Sequence, residues 1–296
     1  MENTILVFGA TGTQGGAVAR QLLAKGFNVR ALVRNPNSEK AQGLARLGAD
    51  IVQGNFDEPD SLNSAMKGAW GIFAVQNSHE AGVEREEQQG KMIAQLAREV
   101  GASHFVYSSV AGTDGKTGLA HFDNKWRIEE AVRSLGFPSY TILKPVTFME
   151  NFISDQFVKM QFPELPQGRL ASSMTPQTKL QLIAADDIGQ FGALAFERAD
   201  EMNGLTLDIA GDEHTMPEIA QILSQFAGMQ IDYVQVPNKY VAEVASEVWA
   251  EFEDWNNRVG YPANISVLSK DYNIQLTKLP EWLKQHKIPW LQRQPI

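Results

Sequence analysis

An apolar run, Ile5 to Phe8, breaks into three glycines at three-residue spacing, Gly9, Gly12 and Gly15, and an amphipathic segment over 14–24 follows at once. The pattern predicts a buried strand, a tight turn and a helix start, an arrangement that turns backbone N–H groups toward a pyrophosphate. Gly9 allows the turn, Gly12 lets the ligand approach the backbone, and Gly15 permits close helix–strand packing. The spacing is GxxGxxG, not the GxGxxG of the commoner dinucleotide fingerprint. Thr11, Thr13 and Gln14 share the turn and join the three glycines as candidate cofactor contacts.

The next hundred residues alternate. Strand-like runs at 28–33, 50–52, 71–75, 103–108 and 139–143 are separated by helical patterns at 14–24, 38–47, 59–67, 85–100 and 122–135. Strand–helix alternation with short links calls for right-handed crossovers and a doubly wound parallel sheet with helices on both faces. The strands are almost continuously apolar, as strands covered on both sides should be. Gly26, Gly48, Gly68, Gly101 and Gly136 follow the helices, where left-handed caps belong. The expected fold is therefore α/β, a Rossmann-type sheet.

Composition narrows the functions available. At 296 residues, 43% hydrophobic, the chain can bury a large core, enough for one domain with an added lobe. The absence of cysteine excludes disulfides, thiolate metal sites and a cysteine nucleophile, and no metal site is expected. A net charge of −9 argues against a nucleic-acid surface. No apolar run approaches the length of a membrane span, and a strand starting at residue 4 is expected to leave no room for a secretory leader, which makes a cytoplasmic location the expectation.

The ends of the later strands supply the rest of the expected cleft. About twenty residues past the glycines, where an acidic residue would accept from a ribose, stands Arg34, followed by Asn35. A guanidinium pairs with a 2′-phosphate through two parallel hydrogen bonds, which favours NADP(H) over NAD(H). Asn55 and Phe56, after the third strand, are placed to border an adenine, and Gln76 and Asn77, after the fourth, to run along the pyrophosphate and the nicotinamide ribose.

The fifth strand ends at Ser108 and Ser109, and twelve residues on His121 precedes Lys125 by one helical turn. The i, i+4 spacing puts both side chains on one helix face. Here the chain resembles the short-chain dehydrogenase/reductase superfamily, in its extended or atypical branch. The resemblance implies that Ser109 polarises a carbonyl and that Lys125 holds the nicotinamide ribose, while the proton-donating tyrosine is replaced by His121. That HxxxK pair, the glycine turn, Arg34 to Pro36, Phe148 to Asn151, Asp186 to Gly189 and Met216 to Glu218 together resemble the NmrA-like family over most of the chain, its redox-sensor members above all. The resemblance implies NADP(H) as cofactor, and either a sensor or transcriptional co-regulator working through a protein partner or a reductase of a quinone or small apolar carbonyl. An imidazole with an ordinary pKa of about 6.5 is able to donate a proton near neutrality, but its reach is shorter than a phenol's. A homodimer is compatible with either function.

Beyond residue 144 the chain is less regular. Thr147, Phe148 and Asn151 are expected to face the cofactor, while Met149, Phe152, Phe157, Met160 and Phe162 read mainly as core. A helix over 185–196 and a strand over 205–209 return to the main sheet. The expected division is a nucleotide domain, 1–144 and 181–210, and a smaller discontinuous lobe, 145–180 and 211–296. The segment 111–120, with three glycines, and the acidic segment 78–87 are expected to border the cleft as ligand-responsive loops.

Overall fold

The computed structural model describes residues 3–293, which divide into two compact units, 3–145 with 185–208 and 146–184 with 209–293. The chain runs β1 (Thr4–Val7), α1 (Thr13–Ala24), β2 (Asn28–Val33), α2 (Glu39–Arg46), β3 (Asp50–Gln53), α3 (Pro59–Met66), β4 (Gly71–Ala74), α4 (Ser78–Ala81), α5 (Val83–Glu99), β5 (His104–Ser108), α6 (Ala120–Ser134) and β6 (Ser139–Pro145). It enters the second unit with β7 (Thr147–Phe148), α7 (Asp155–Gln161), β8 (Arg169–Ser172) and β9 (Lys179–Ile183), then returns with α8 (Ala185–Glu197), α9 (Ala199–Met202) and β10 (Thr206–Ile209). The second unit closes with β11 (Asp212–Thr215), α10 (Met216–Ala227), β12 (Asp232–Gln235), α11 (Asn238–Val244), α12 (Glu247–Arg258), α13 (Ile265–Tyr272) and α14 (Leu279–Gln285).

In the first unit a seven-stranded sheet has the order β10-β6-β5-β4-β1-β2-β3, parallel from β6 through β3. The expected Rossmann-type sheet is thus present, and the strand order reverses between β1 and β4, the position where doubly wound sheets open a ligand crevice. β1 continues into the core so completely that Ile5 to Phe8 are all 0% exposed. The five glycines after the helices all have positive φ, from 67° to 101°. Helix α8 lies against α1 through its own glycines: a Cβ on Gly189 would stand 2.8 Å from the Ala17 carbonyl oxygen, and one on Gly192 2.6 Å from a Val18 methyl. Only hydrogen at these positions lets the two helices meet so closely.

One core residue of this unit carries a pH dependence. His104, at the start of β5, is fully buried beside Trp70 and Phe196, with Nδ1 2.7 Å from Ser139 Oγ. Burial pushes its pKa down to about 4, against a hydrogen bond with Ala195 and the charge of Asp200. As pH falls, the unfolded chain takes the proton first, so the stabilisation present above the unfolded value of about 6.5 is lost down to about pH 4, a change of roughly 3 kcal/mol. Urea midpoints at neutral pH and near pH 4.5 are expected to converge in His104→Gln relative to the native chain. An unchanged acid loss in that variant would remove His104 as its source.

The second unit holds a three-stranded sheet, β11-β9-β7, and a two-stranded one, β12-β8. The sequence-based division put 181–184 with the nucleotide domain, whereas β9 pairs with β7 and β11 of this unit and not with the large sheet. Met149, Phe152 and Phe162 are core residues, as the sequence suggests, and Phe152 stacks on Phe162. The aromatic cluster continues through Trp249, Phe252, Trp255 and Tyr261. Among the described residues no helix is long and apolar enough to cross a membrane.

Candidate functional site

The glycine turn closes on itself at the C-terminal end of β1. Gly9 has φ +62°, its carbonyl accepts from the Gly12 N–H at 2.8 Å, and Gly12 is the N-cap of α1 with no side chain bonded to the helix start. A Cβ on Gly15 would stand 2.4 Å from the Gly9 carbonyl oxygen and 2.5 Å from that of Phe8. Gly15 therefore serves close packing, while Gly12 and Thr13, both exposed, present the helix N-terminus outward. The first amides of a helix lack carbonyl partners within it and favour an anion there. Gln14 Oε1 accepts from Ser108 Oγ at 2.6 Å, tying the start of α1 to the end of β5.

Beside this turn, past the end of β4, Gln76 is 4% exposed and neither its Oε1 nor its Nε2 has a hydrogen-bond partner. An amide buried with both ends unsatisfied costs free energy that a polar ligand at this spot would recover. A Cβ on Gly9 would come within 3.0 Å of the Val75 side chain, so the glycine turn and the Gln76 strand end are neighbours. Uncapped helix start, glycine cradle and orphaned amide together fit a dinucleotide.

Around them stand the other sequence-predicted residues of the first unit. Arg34 and Asn35 are exposed just past β2; Asn35 Oδ1 accepts from the Asn37 N–H, and Arg34 Nη1 lies 3.1 Å from Glu80 Oε2 of α4. Asn55 Oδ1 accepts from Asp57 N, and the Phe56 ring stacks on Phe8 at 5.8 Å. The Asn77 carbonyl accepts from Glu80 N and Ala81 N, opening α4. On the second unit, Thr147 is buried with Oγ1 3.3 Å from Tyr261 Oη, Phe148 completes β7, and Asn151 lies in a turn of 3-10 helix over Met149–Phe152.

The remaining polar groups form a buried network that the sequence reading missed. Lys125 Nζ pairs with Glu86 Oε1 at 2.5 Å, and the Glu86 side chain, 0% exposed, also accepts from Asn124 Nδ2. Ser109, 3% exposed, donates a short hydrogen bond to Glu129, whose carboxylate also takes Arg133 Nη2 at 2.8 Å and has Lys144 Nζ at 3.8 Å. Burial raises the Glu129 pKa against the opposing pull of Lys144, Ser109 and Arg133. Tyr107 Oη is buried without a partner, its pKa raised by burial and then by the charges of Glu86 and Glu129. His121, half-buried, sits edge-on to Phe122. The signal for this network was present: His121, Lys125, Glu129 and Arg133 recur every fourth residue along α6, one face of a helix. Removing one partner of a buried ion pair costs about 3–5 kcal/mol, whereas an exposed pair such as Arg34–Glu80 is worth roughly 0–1 kcal/mol.

The glycine-rich segment ahead of α6 is tied down. Asp123 accepts from Thr117 N, Thr117 Oγ1 and Gly118 N, Gly112 N donates to Asp208, and Lys144 Nζ donates to the Thr113 carbonyl. These bonds join the segment to β6, β10 and the first turn of α6. Among the described residues no three His, Asp or Glu side chains gather as a metal site.

The sequence model of the NmrA-like family matches residues 1–286. An NmrA-like family domain-containing protein of Dictyostelium discoideum is 30% identical over 96% of this chain and 98% of its own length. An NmrA-like family domain-containing oxidoreductase of Malbranchea aurantiaca is 37% identical over 165 residues, 52% of this chain; the chain spans about half the length of that relative, 49%. Among solved structures, NmrA, a negative transcriptional regulator in complex with NADP, superposes with a TM-score of 0.78 at 20% identity, covering 98% of this chain and 96% of that one. The NADPH-dependent quinone oxidoreductase QOR2 of Escherichia coli, complexed with NADPH, has a TM-score of 0.79 at 22% identity, covering 95% and 98%. At these identities the two structures show a shared fold, and that fold serves a regulator and a reductase alike.

Proposed function

The chain belongs to the NmrA-like family of NAD(P)-binding proteins, and from that premise we propose that it binds NADP(H) and acts as a redox-responsive regulator through a protein partner. The glycine turn and α1 start would hold the pyrophosphate, Gln76 would spend its unsatisfied amide on the nucleotide, Arg34 would pair with the 2′-phosphate, and Lys125 would reach the nicotinamide ribose. Asn35, Asn55, Phe56 and Asn77 remain candidate contacts at its margins. A nicotinamide cofactor, when bound, supplies a hydride; a regulator instead uses the difference in affinity of its conformations for the cofactor's forms.

One observation carries this reading. Of the three side chains that support carbonyl reduction in the superfamily, the tyrosine is His121, and the two that remain, Ser109 and Lys125, are each bonded to a buried carboxylate. Ser109 directs its hydroxyl hydrogen at Glu129, not at an incoming carbonyl. The glycine turn, the α1 start and Gln76 support nucleotide binding, while the position of the proton-donating tyrosine holds His121. The discriminating assay is steady NADPH consumption against a panel of quinones and small carbonyls, expected to be negligible; sustained turnover would favour the second reading, an NADPH-dependent reductase. That reading draws support from the relatives named as oxidoreductases.

The cofactor preference has its own test. Arg34→Asp removes the expected phosphate partner and sets a like charge in its place, which is expected to cost about 2–4 kcal/mol of NADPH affinity. NADH binding should barely change. A native chain that binds both cofactors equally in a fluorescence titration would refute the assignment.

A further inference from the structure

Past β4, one carboxylate in α4, Glu80, and one in the first turn of α5, Glu86, each hold one of the two cations assigned above to the nucleotide. Glu80 Oε2 meets Arg34 Nη1 at 3.1 Å, and Glu86 Oε1 meets Lys125 Nζ at 2.5 Å. The two pairs differ in kind. The Glu86 side chain is 0% exposed and also accepts from Asn124, so it positions Lys125 from within the fold. The Arg34 and Glu80 side chains are 75% and 58% exposed and sit where water competes for both. Between them lies Gly82, at φ +83°, where an added Cβ would meet no atom within 4 Å. α4 itself is one turn of helix, held by amides of Glu80 and Ala81 on the Asn77 carbonyl and of Gly82 on that of Ser78.

We propose that Glu80 occupies on Arg34 the place of the NADP(H) 2′-phosphate, so that only a nucleotide bearing that phosphate frees α4 from Arg34. The proposal rests on the reading of Arg34 as the 2′-phosphate residue. A phosphate dianion offers the guanidinium fork two parallel acceptors and a higher charge than a carboxylate, so it displaces a solvent-exposed partner. A ribose hydroxyl offers neither, and a nucleotide without the phosphate leaves the Arg34–Glu80 pair in place. Glu86 does not exchange, because its carboxylate is buried and has no water to return to. Two consequences follow. Glu80 lowers the affinity for phosphorylated nucleotides by competing for Arg34, and the conformation of α4 reports which nucleotide is bound. A protein partner that touches α4 would then read NADP(H) and ignore NAD(H).

The experiment uses the full chain with 2′,5′-ADP and 5′-ADP as probes in calorimetry, and NADP⁺ and NAD⁺ in hydrogen exchange. Glu80→Gln is expected to tighten 2′,5′-ADP about 2–5-fold, the range set by an exposed ion pair, and to leave 5′-ADP unchanged. Glu84→Gln removes the same charge from the neighbouring first turn of α5 and is expected to change neither. In the native chain NADP⁺ should speed exchange at the amides of Glu80, Ala81 and Gly82, NAD⁺ should not, and Glu80→Gln should show fast exchange without nucleotide. If Glu80→Gln leaves 2′,5′-ADP affinity as it was, or if Glu84→Gln tightens it equally, the competition is absent and the proposal fails. Slower exchange in α4 with NADP⁺ would also overturn it. Arg34→Gln separates this failure from that of the cofactor reading: if it does not lower the preference for 2′,5′-ADP over 5′-ADP, Arg34 is not the phosphate residue and both fall.

Discussion

Gly12→Val is expected to abolish dinucleotide binding while the chain stays folded. Gly12 is exposed at the N-cap of α1 with φ −87° and ψ 179°, an extended conformation open to any residue. The first side-chain carbon would lie 3.1 Å from the Gly9 carbonyl oxygen, tight but local. The branches beyond it would fill the space in front of the helix N-terminus, where the pyrophosphate must approach. Losing two hydrogen bonds to a charged group, at about 1.5–3 kcal/mol each, amounts to at least ~10²-fold in Kd. Circular dichroism should remain native while the fluorescence change on adding NADPH disappears. Gly15→Ala should behave differently, because its Cβ would stand 2.4 Å from a backbone oxygen and the turn itself must shift. Stability and binding should then fall together. Retained binding in Gly12→Val would place the pyrophosphate elsewhere.

The contrast between those glycines marks what the sequence makes legible. Spacing alone separates a packing glycine from a ligand-facing one, since the strand before and the helix after fix where each position points. The parallel sheet is legible for the same reason: β1, β2 and β4 to β6 are apolar runs with caps between them. The small sheet of the second unit is not. β9 is as apolar as a strand of the large sheet, and only its pairing with β7 and β11 decides where it belongs. Long-range partners are the common gap. Glu80 and Glu86 read as part of one acidic segment bordering the cleft, yet one is 58% exposed against Arg34 and the other fully buried against Lys125. Nothing in the local pattern of α5 tells which of its acidic residues faces inward toward α6. Glu129 was the more readable case, four residues past Lys125 and four before its partner Arg133. Buried carboxylates are costly unless partnered, so each had to meet a cation or a hydroxyl that sequence distance conceals.

The same network sets the expectation for His121→Tyr, which restores the superfamily's spacing to Lys125 in a single step. If only the tyrosine were missing, the variant would gain carbonyl reduction. The structure argues for inactivity instead. Ser109, whose hydroxyl would have to orient the carbonyl, donates to Glu129, and Lys125, which would have to depress the phenol pKa, is neutralised by Glu86 at 2.5 Å. A cation paired that closely exerts a much weaker field on a neighbouring phenol. His121→Tyr is therefore expected to consume NADPH no faster than the native chain, and His121→Ala to weaken cofactor binding only modestly. Lys125→Ala should weaken it more, and should also destabilise the fold by leaving Glu86 buried and unpaired. A reductase that uses His121 as general acid gives the opposite record. Its turnover would fall about 10²–10⁴-fold in His121→Ala, and the native rate would decline as pH rises through the imidazole pKa, because the protonated ring is the donor. Brisk native turnover of a quinone or aldehyde, lost in His121→Ala, would assign the chain to the reductases. Negligible turnover in the native chain and in all three variants, with cofactor binding weakened most in Lys125→Ala, would leave nucleotide binding as the role of the α6 face.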